Sequence, residues 1–189
     1  NSQDSADSAD SSDEKMEATS EERIAAVGLG DADTVLALGE TPVAIAPWAG
    51  SNDGVGPWSE DLLGGADPAL IRDTSGGFDQ QHIEAIAATD PTKIIAVNHS
   101  IDDETKKKFE TIAPTTLHSA EDSDWQIPWE KQVETIAKAL DKEDEGQKLI
   151  DETNAAFEKF REDHPELQGK TAAIALPSDN QLSLYTSGD

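Results

Sequence analysis

Four histidines, four tryptophans and one glycine-rich run carry the residue types in this chain that could do chemistry. The run Gly28-Leu29-Gly30-Asp31-Ala32-Asp33 follows an apolar stretch and precedes a helical pattern, the position of a dinucleotide fingerprint. Asp33 stands where the third glycine of that fingerprint would fall. Asp31 puts a negative charge where a pyrophosphate would rest against a helix N-terminus. The run therefore reads as a tight turn with Asp31 as a helix cap, not as a nucleotide site. His82 and His164 fall on helix surfaces, whereas His99 and His118 follow neighbouring strands and could converge. A transition metal needs three or four ligands, which Asp31 or Asp124 could help supply. No pair here has metal-ligand spacing, so we expect two loop histidines in contact with solvent and no metal or cofactor. No G-x-S-x-G elbow or Ser-His-Asp set stands out, and nothing else in the chain points to catalysis.

Trp48, Trp58, Trp125 and Trp129 are the four tryptophans. Trp129 begins a helix and reads as core. Trp48 closes an apolar run, and Trp58 and Trp125 lie in loops. An exposed indole is costly unless it covers something, so a cleft lined by Trp48, Trp58 and Trp125 is expected. The competing reading is that they cap the sheet ends as ordinary packing.

The elements that must position these residues alternate. Ile24–Gly28, Val43–Trp48, Lys93–Val97 and Thr115–Leu117 read as strands, the first three apolar on both faces. Between and after them come helical patterns: 32–38, ended by Gly39; a short one from Ser59 to Gly64-Gly65; 80–88, capped by Asp79; and one opened by Asp102 and running to Ile112. Pro128 starts another over 129–140. A long one follows over 142–163, with Leu149, Ile150, Thr153, Phe157 and Phe160 as its apolar stripe, and Pro165 stops it. Residues 170–176 and 182–185 read as two further strands. Strands alternating with helices predict an α/β fold, a parallel sheet covered on both faces. Ligands of such sheets bind at the carboxyl ends of the strands, here Gly28–Asp31, Pro47–Ala49, Asn98–Ser100 and His118–Ser119.

Charge narrows the partners. Against 14 Lys+Arg stand 40 Asp+Glu, a formal net charge of −26. Three arginines in such a field cannot form a nucleic-acid surface, and anionic lipid is disfavoured for the same reason. The absence of cysteine removes disulfides, thiolate ligands and Cys nucleophiles. Residues 1–22 hold eight acids, six serines and no aromatic residue, too little apolar surface to offset ordering entropy. They read as a disordered acidic tether.

The stretches RIAAVGLGDADTVLALGETPVAIAPW, GPWSEDLLGG and GGFDQQHIEAIAATDPTKIIAV resemble the substrate-binding proteins of ABC importers for ferric siderophores, the actinobacterial type in particular. IAPTTLH and DWQIPWEKQVETIAKALDKEDEGQKLIDE continue the resemblance, which covers about 23–189. Glu84 and Ile86 match the family pattern. Pro91-Thr92-Lys93-Ile94 departs from its usual Pro-Asp-Leu-Ile.

The resemblance implies a Rossmann-like N-terminal lobe over 23–140, a bridging helix over 141–166 and the start of a second lobe over 167–189. It implies a monomeric, non-enzymatic protein at the extracellular face of the cell membrane, anchored by an acylated Cys just before a segment like 1–22. Its partners would be a ferric siderophore and an ABC permease, with no nucleic acid. Haem, cobalamin or a bare metal ion is the alternative cargo, and a doubly wound enzyme domain the alternative class. The expected ligand-binding residues are Trp48, Trp58, Arg72, Asn98, His99, Ser100 and Trp125, and the expected permease-docking residues Glu60 and Asp61. Arg72 is the one arginine placed to reach the cleft mouth, since Arg23 starts the first strand and Arg161 lies on the long helix. Few cations beside several indoles favour a neutral or cationic hydroxamate chelate over a trianionic catecholate.

Overall fold

The computed structural model describes residues 22–48, 54–178 and 181–184. Nearly all of the tether expected over 1–22, the loop residues 49–53 and the end of the last expected strand at Tyr185 lie outside the described residues.

Five short strands form one parallel sheet: β1 Ile24–Ala26, β2 Ala44–Ile45, β3 Ala69–Leu70, β4 Lys93–Ala96 and β5 Thr115–Leu117. Their order is β3-β2-β1-β4-β5. The helices are α1 Asp31–Ala37, α2 Gln80–Ala87, α3 Asp103–Ile112, α4 Trp129–Ala139 and α5 Glu143–Asp163. Successive side chains of a strand point to opposite faces, and both faces here are apolar. Ile24, Ala26, Ile45, Ile95 and Val97 pack with Val35 and Leu36 of α1 and Ile136 of α4. Ala25, Val27, Ala44, Ile94 and Ala96 pack with Ile83 and Ile86 of α2 and Phe109 of α3. The result is the expected sheet between two helical layers.

Several expectations change. β3 was not expected, because it is a two-residue edge strand whose Ala69 is exposed, so it lacks an apolar run. The strand expected over 170–176 begins only at Ala175. As β6, Ala175–Ser178, it pairs antiparallel with β7, Gln181–Leu184, in a separate two-stranded sheet. Trp129, expected in the core, is only half-buried. On α5 the apolar stripe is buried at Ile150 but open further on, where Phe157 and Phe160 are 53% and 51% exposed.

Strand order reverses on the two sides of β1, so β1 and β4 are the pair from which crossovers leave in opposite directions. Such a switch point is the usual crevice for a ligand. Here it is filled by a carboxylate. The cap of α1 is Gly30, at φ 76°, and not Asp31 as expected. Asp31 is instead the first helical residue and fully buried. Its Oδ2 accepts the Val97 N–H at 2.7 Å. Its Oδ1 accepts the Asn98 N–H at 3.3 Å and Nε2 of Gln132, on α4, at 2.7 Å. The Asn98 side-chain amide donates to the Leu29 carbonyl at 2.9 Å, and the Leu29 N–H donates back to the Asn98 carbonyl at 2.9 Å. Position 28 must be glycine, because a Cβ there would lie 2.0 Å from Asp31 Oδ2. A nucleotide phosphate has no room in this turn.

Burial pushes the Asp31 carboxyl up from 3.8 to about 6, against the pull of its hydrogen-bond donors. The folded chain therefore holds a proton that the unfolded chain releases between about pH 4 and 6. The contribution of this group is greatest at low pH, declines as pH rises to about 6, and is level above. Comparing denaturant unfolding of wild type and Asp31→Asn cancels the other titrating groups. The stability of wild type relative to Asp31→Asn should fall by about 2.4 kcal/mol from pH 4 to pH 7. A difference that stays constant, or grows, contradicts this account of Asp31.

Candidate functional site

Two adjoining cavities open at the carboxyl end of the sheet. The smaller, about 280 Å³, is lined by one residue or more after every strand: Leu29 after β1, Pro47 after β2, Thr74 after β3, His99 after β4 and Trp125 after β5. The larger, about 670 Å³, lies towards the N-termini of α2 and α3, where Ser75, Gly77, Asp79, Ser100, Asp102 and Trp125 line it. Asp73, Ser75 and Trp125 border both.

His99 divides these cavities from the core. It is 2% exposed, not in contact with solvent as its loop position suggests. Its ring packs on Phe78 at 4.8 Å and on Trp125 at 4.5 Å. Nδ1 lies 2.9 Å from the Ser100 carbonyl oxygen and Nε2 lies 2.9 Å from that of Thr74. A neutral ring has one N–H and satisfies one of these contacts, whereas an imidazolium satisfies both. Burial wins and holds the His99 pKa below its ordinary value, although both carbonyls and the Asp124 charge pull the other way.

Trp125 stands at φ 63°, in the left-handed region that bulky side chains rarely adopt, and its indole is 42% exposed. Its neighbour Asp124 supplies the anchor. Asp124 Oδ2 accepts Ser100 Oγ at 2.5 Å and Oδ1 lies 3.0 Å from His118 Nε2. These contacts, the Ser100 hydroxyl first, hold the Asp124 carboxyl below the ordinary carboxylate range. His99 and His118 do not meet: His118 and Ser100, the neighbour of His99, share the Asp124 carboxylate, which ties the β4 and β5 ends together. Among the described residues no group of three metal-ligating side chains forms.

The loop between β3 and α2 is pinned from α2. Asp79 caps that helix by accepting the His82 N–H at 3.0 Å, and His82 Nδ1 accepts the Asp79 N–H at 3.1 Å. His82 Nε2 then donates to the Arg72 carbonyl at 2.7 Å. Asp102 caps α3 by accepting the Thr105 N–H at 2.7 Å.

The remaining predicted residues spread over the rim. Trp48 and Trp58 meet edge to face, with centroids 6.0 Å apart, and both donate their indole N–H to Asp33. Neither lines the two cavities. Asn98 is committed to Leu29 through its amide nitrogen, and its buried Oδ1 has no partner among the described residues. Arg72 is exposed beside Asp73 but lines neither cavity. Arg23 is at the opposite end of the sheet, bonded to the Thr89 and Asp90 carbonyls. Glu60 and Asp61 lie exposed on the 3-10 helix Glu60–Leu63, capped by Ser59.

Sequence reasoning passed over Asp73, Asp79 and Asp102 as cleft residues, although it named the last two as caps. The signal was present. In a strand–helix unit the helix starts at the end where the strand stops, so a cap residue borders the cleft as well. Among the described residues neither cavity is lined by a Lys or Arg, and the larger carries three aspartates.

The comparisons with known proteins agree with this geometry. Residues 24–189 match the model of the periplasmic binding protein family. The chain belongs to that family. A periplasmic solute binding protein from Mycobacterium smegmatis is 32% identical, with a TM-score of 0.78, over 88% of this chain and 58% of that one. The iron-uptake ABC transporter substrate-binding protein PiaA from Streptococcus pneumoniae is 30% identical, with a TM-score of 0.70, over 88% of this chain and 57% of that one. PiaA in complex with ferrichrome matches at 30% identity and a TM-score of 0.71. The chain thus spans under three fifths of the length of these relatives. A comparison with curated proteins gives no match. The resemblance to iron-siderophore binding proteins is upheld, and the family is one of non-enzymatic transport proteins that work in the periplasm or outside the cell. No helix among the described residues is long and apolar enough to cross a membrane.

Asp124 has one clear task, to hold Trp125 over His99. Asp124→Ala is expected to raise amide hydrogen exchange across residues 119–127 while the amides of β1 and β4 keep their protection. Unchanged exchange in that loop would show that something else holds the indole.

Proposed function

We propose that this chain is the N-terminal lobe and bridging helix of a monomeric, lipid-anchored extracellular protein that captures a ferric siderophore and delivers it to an ABC importer. α5 would be the bridge and the β6–β7 ribbon the beginning of the second lobe. Solved relatives include one with ferrichrome bound, which supports a ferric chelate as cargo.

The observation that carries the choice of chelate is the lining of the cleft. Its mouth offers Trp125 over a buried His99, three aspartates and no Lys or Arg among the described residues. Binding a trianion needs several cationic donors, preferably paired guanidinium groups. Aromatic faces in a negative field instead favour neutral or cationic ligands, by about 0.5–2 kcal/mol for each cation–π contact. We infer a preference for ferric hydroxamates. On full-length protein, a competition titration followed by tryptophan quenching should rank a ferrioxamine-type ligand above an enterobactin-type one. Tighter binding of the trianion would mean that the other lobe supplies arginines and decides the selectivity.

Delivery requires a docking surface, for which Glu60 and Asp61 are the candidates. They are exposed, adjacent and held on a short helix beside the cleft rim. The double change Glu60→Arg with Asp61→Arg should leave siderophore affinity intact and abolish uptake in cells that depend on this protein. Undiminished uptake removes these residues from the interface.

A further inference from the structure

Trp58 is 69% exposed and covers little of the core, yet its ring is fixed. The nitrogen edges of Trp48 and Trp58 converge on one side chain. Trp48 Nε1 donates to Asp33 Oδ2 at 2.7 Å, and Trp58 Nε1 donates to Asp33 Oδ1 at 3.1 Å. Each carboxylate oxygen thus takes one indole, and the rings stand at 75° to one another. Asp33 lies in the first turn of α1, where the helix dipole favours its negative charge.

Packing agrees with this arrangement. The Trp58 ring lies against Gly56, where a Cβ would come within 2.2 Å of Trp58 Cζ2. A Cβ on Gly30 would come within 3.1 Å of Trp48 Cζ2. Leu29 and Pro47, which line the smaller cavity, are the chain neighbours of Gly30 and Trp48. The indole pair thus lies beside residues that line that cavity on its β1–β2 side, without lining it. An indole pair that only covered core would turn its polar edge to water and hide its carbon face. Trp58 does the reverse: its nitrogen edge is bonded to Asp33 and most of its ring is exposed.

We propose that Asp33 is a positioning residue that fixes Trp48 and Trp58 as a rigid aromatic corner on which the ligand rests. The ligand role builds on the siderophore reading above, whereas the positioning stands without it. Ordering two large side chains in advance of binding removes a conformational cost that the ligand would otherwise meet. A charge-assisted hydrogen bond to each indole is the means. Asp33 thereby has a use that explains its place in the Gly-Leu-Gly-Asp-Ala-Asp run.

The test uses full-length protein and two readouts. Two indoles at this distance and angle couple, so the far-ultraviolet circular dichroism of wild type should carry an exciton couplet in the absence of ligand. Affinity for a ferrioxamine-type ligand is measured by equilibrium dialysis, which does not depend on tryptophan emission. Asp33→Asn and Asp33→Ala should keep a near-wild-type melting temperature, lose the couplet and bind about tenfold more weakly. Gly56→Ala leaves Asp33 in place and is free of left-handed backbone strain, but displaces the Trp58 ring. It should produce the same two losses, and it keeps the question decidable if the Asp33 variants fail to fold. A couplet that survives in the Asp33 variants overturns the positioning role. A couplet lost with affinity unchanged overturns the ligand role. Wild-type protein that binds no ferrioxamine overturns the siderophore reading and the ligand role with it, while the couplet still decides whether Asp33 positions the indoles.

Discussion

One buried carboxylate holds the cleft end of this fold together. Asp31 sits where β1 and β4 part and joins three elements that sequence keeps far apart: the turn after β1, the end of β4 and, through Gln132, helix α4. Its bond to the Val97 N–H satisfies a backbone donor that would otherwise be buried without a partner, at a cost of about 1–3 kcal/mol. The glycine beneath it, the helix that starts on it and the asparagine that crosses to Leu29 all follow from its position. Filling the switch-point crevice also moves ligand binding outward, onto the residues that follow the strands.

Those residues are held by polar contacts across the cleft floor. Asp124 joins Ser100 to His118 and so sets Trp125 on His99. His82 ties α2 back to Arg72, and His99 meets the Thr74 carbonyl from below. The cleft therefore has a fixed floor and an aromatic rim, with its charge supplied by helix caps.

Much of this was legible in the sequence, and the reasons are physical. Short continuous apolar runs mark β1, β2 and β4, the first two closed by Gly28 and Pro47, because a strand buried on both faces has no alternation to obscure it. Asp79 and Asp102 announced α2 and α3 as caps. β3 was invisible because an edge strand of two residues needs no apolar pattern. Asp31 was misread as a cap because its true partners, Val97, Asn98 and Gln132, come from distant segments that only the fold brings together. His99 was placed in solvent for the same reason, since Phe78 and Trp125 bury it from either side. Trp48, Trp58 and Trp125 stand out by the cost of exposing an indole, but nothing in the sequence ties Asp33 or Asp124 to them, since only the fold brings those carboxylates to the indoles and their loops.

On the proposed function, cargo binds over the carboxyl ends of the five strands. Ferric iron is paramagnetic and broadens the resonances of nuclei close to it, whereas a gallium chelate of the same shape does not. In full-length, isotope-labelled protein, a ferric hydroxamate should broaden the backbone amides of Leu29, Ser75 and Ser100. It should spare those of Thr41 and Thr89, which line a cavity at the opposite end of the sheet. Broadening centred on Thr41 and Thr89, or none that the gallium chelate fails to reproduce, would contradict the account.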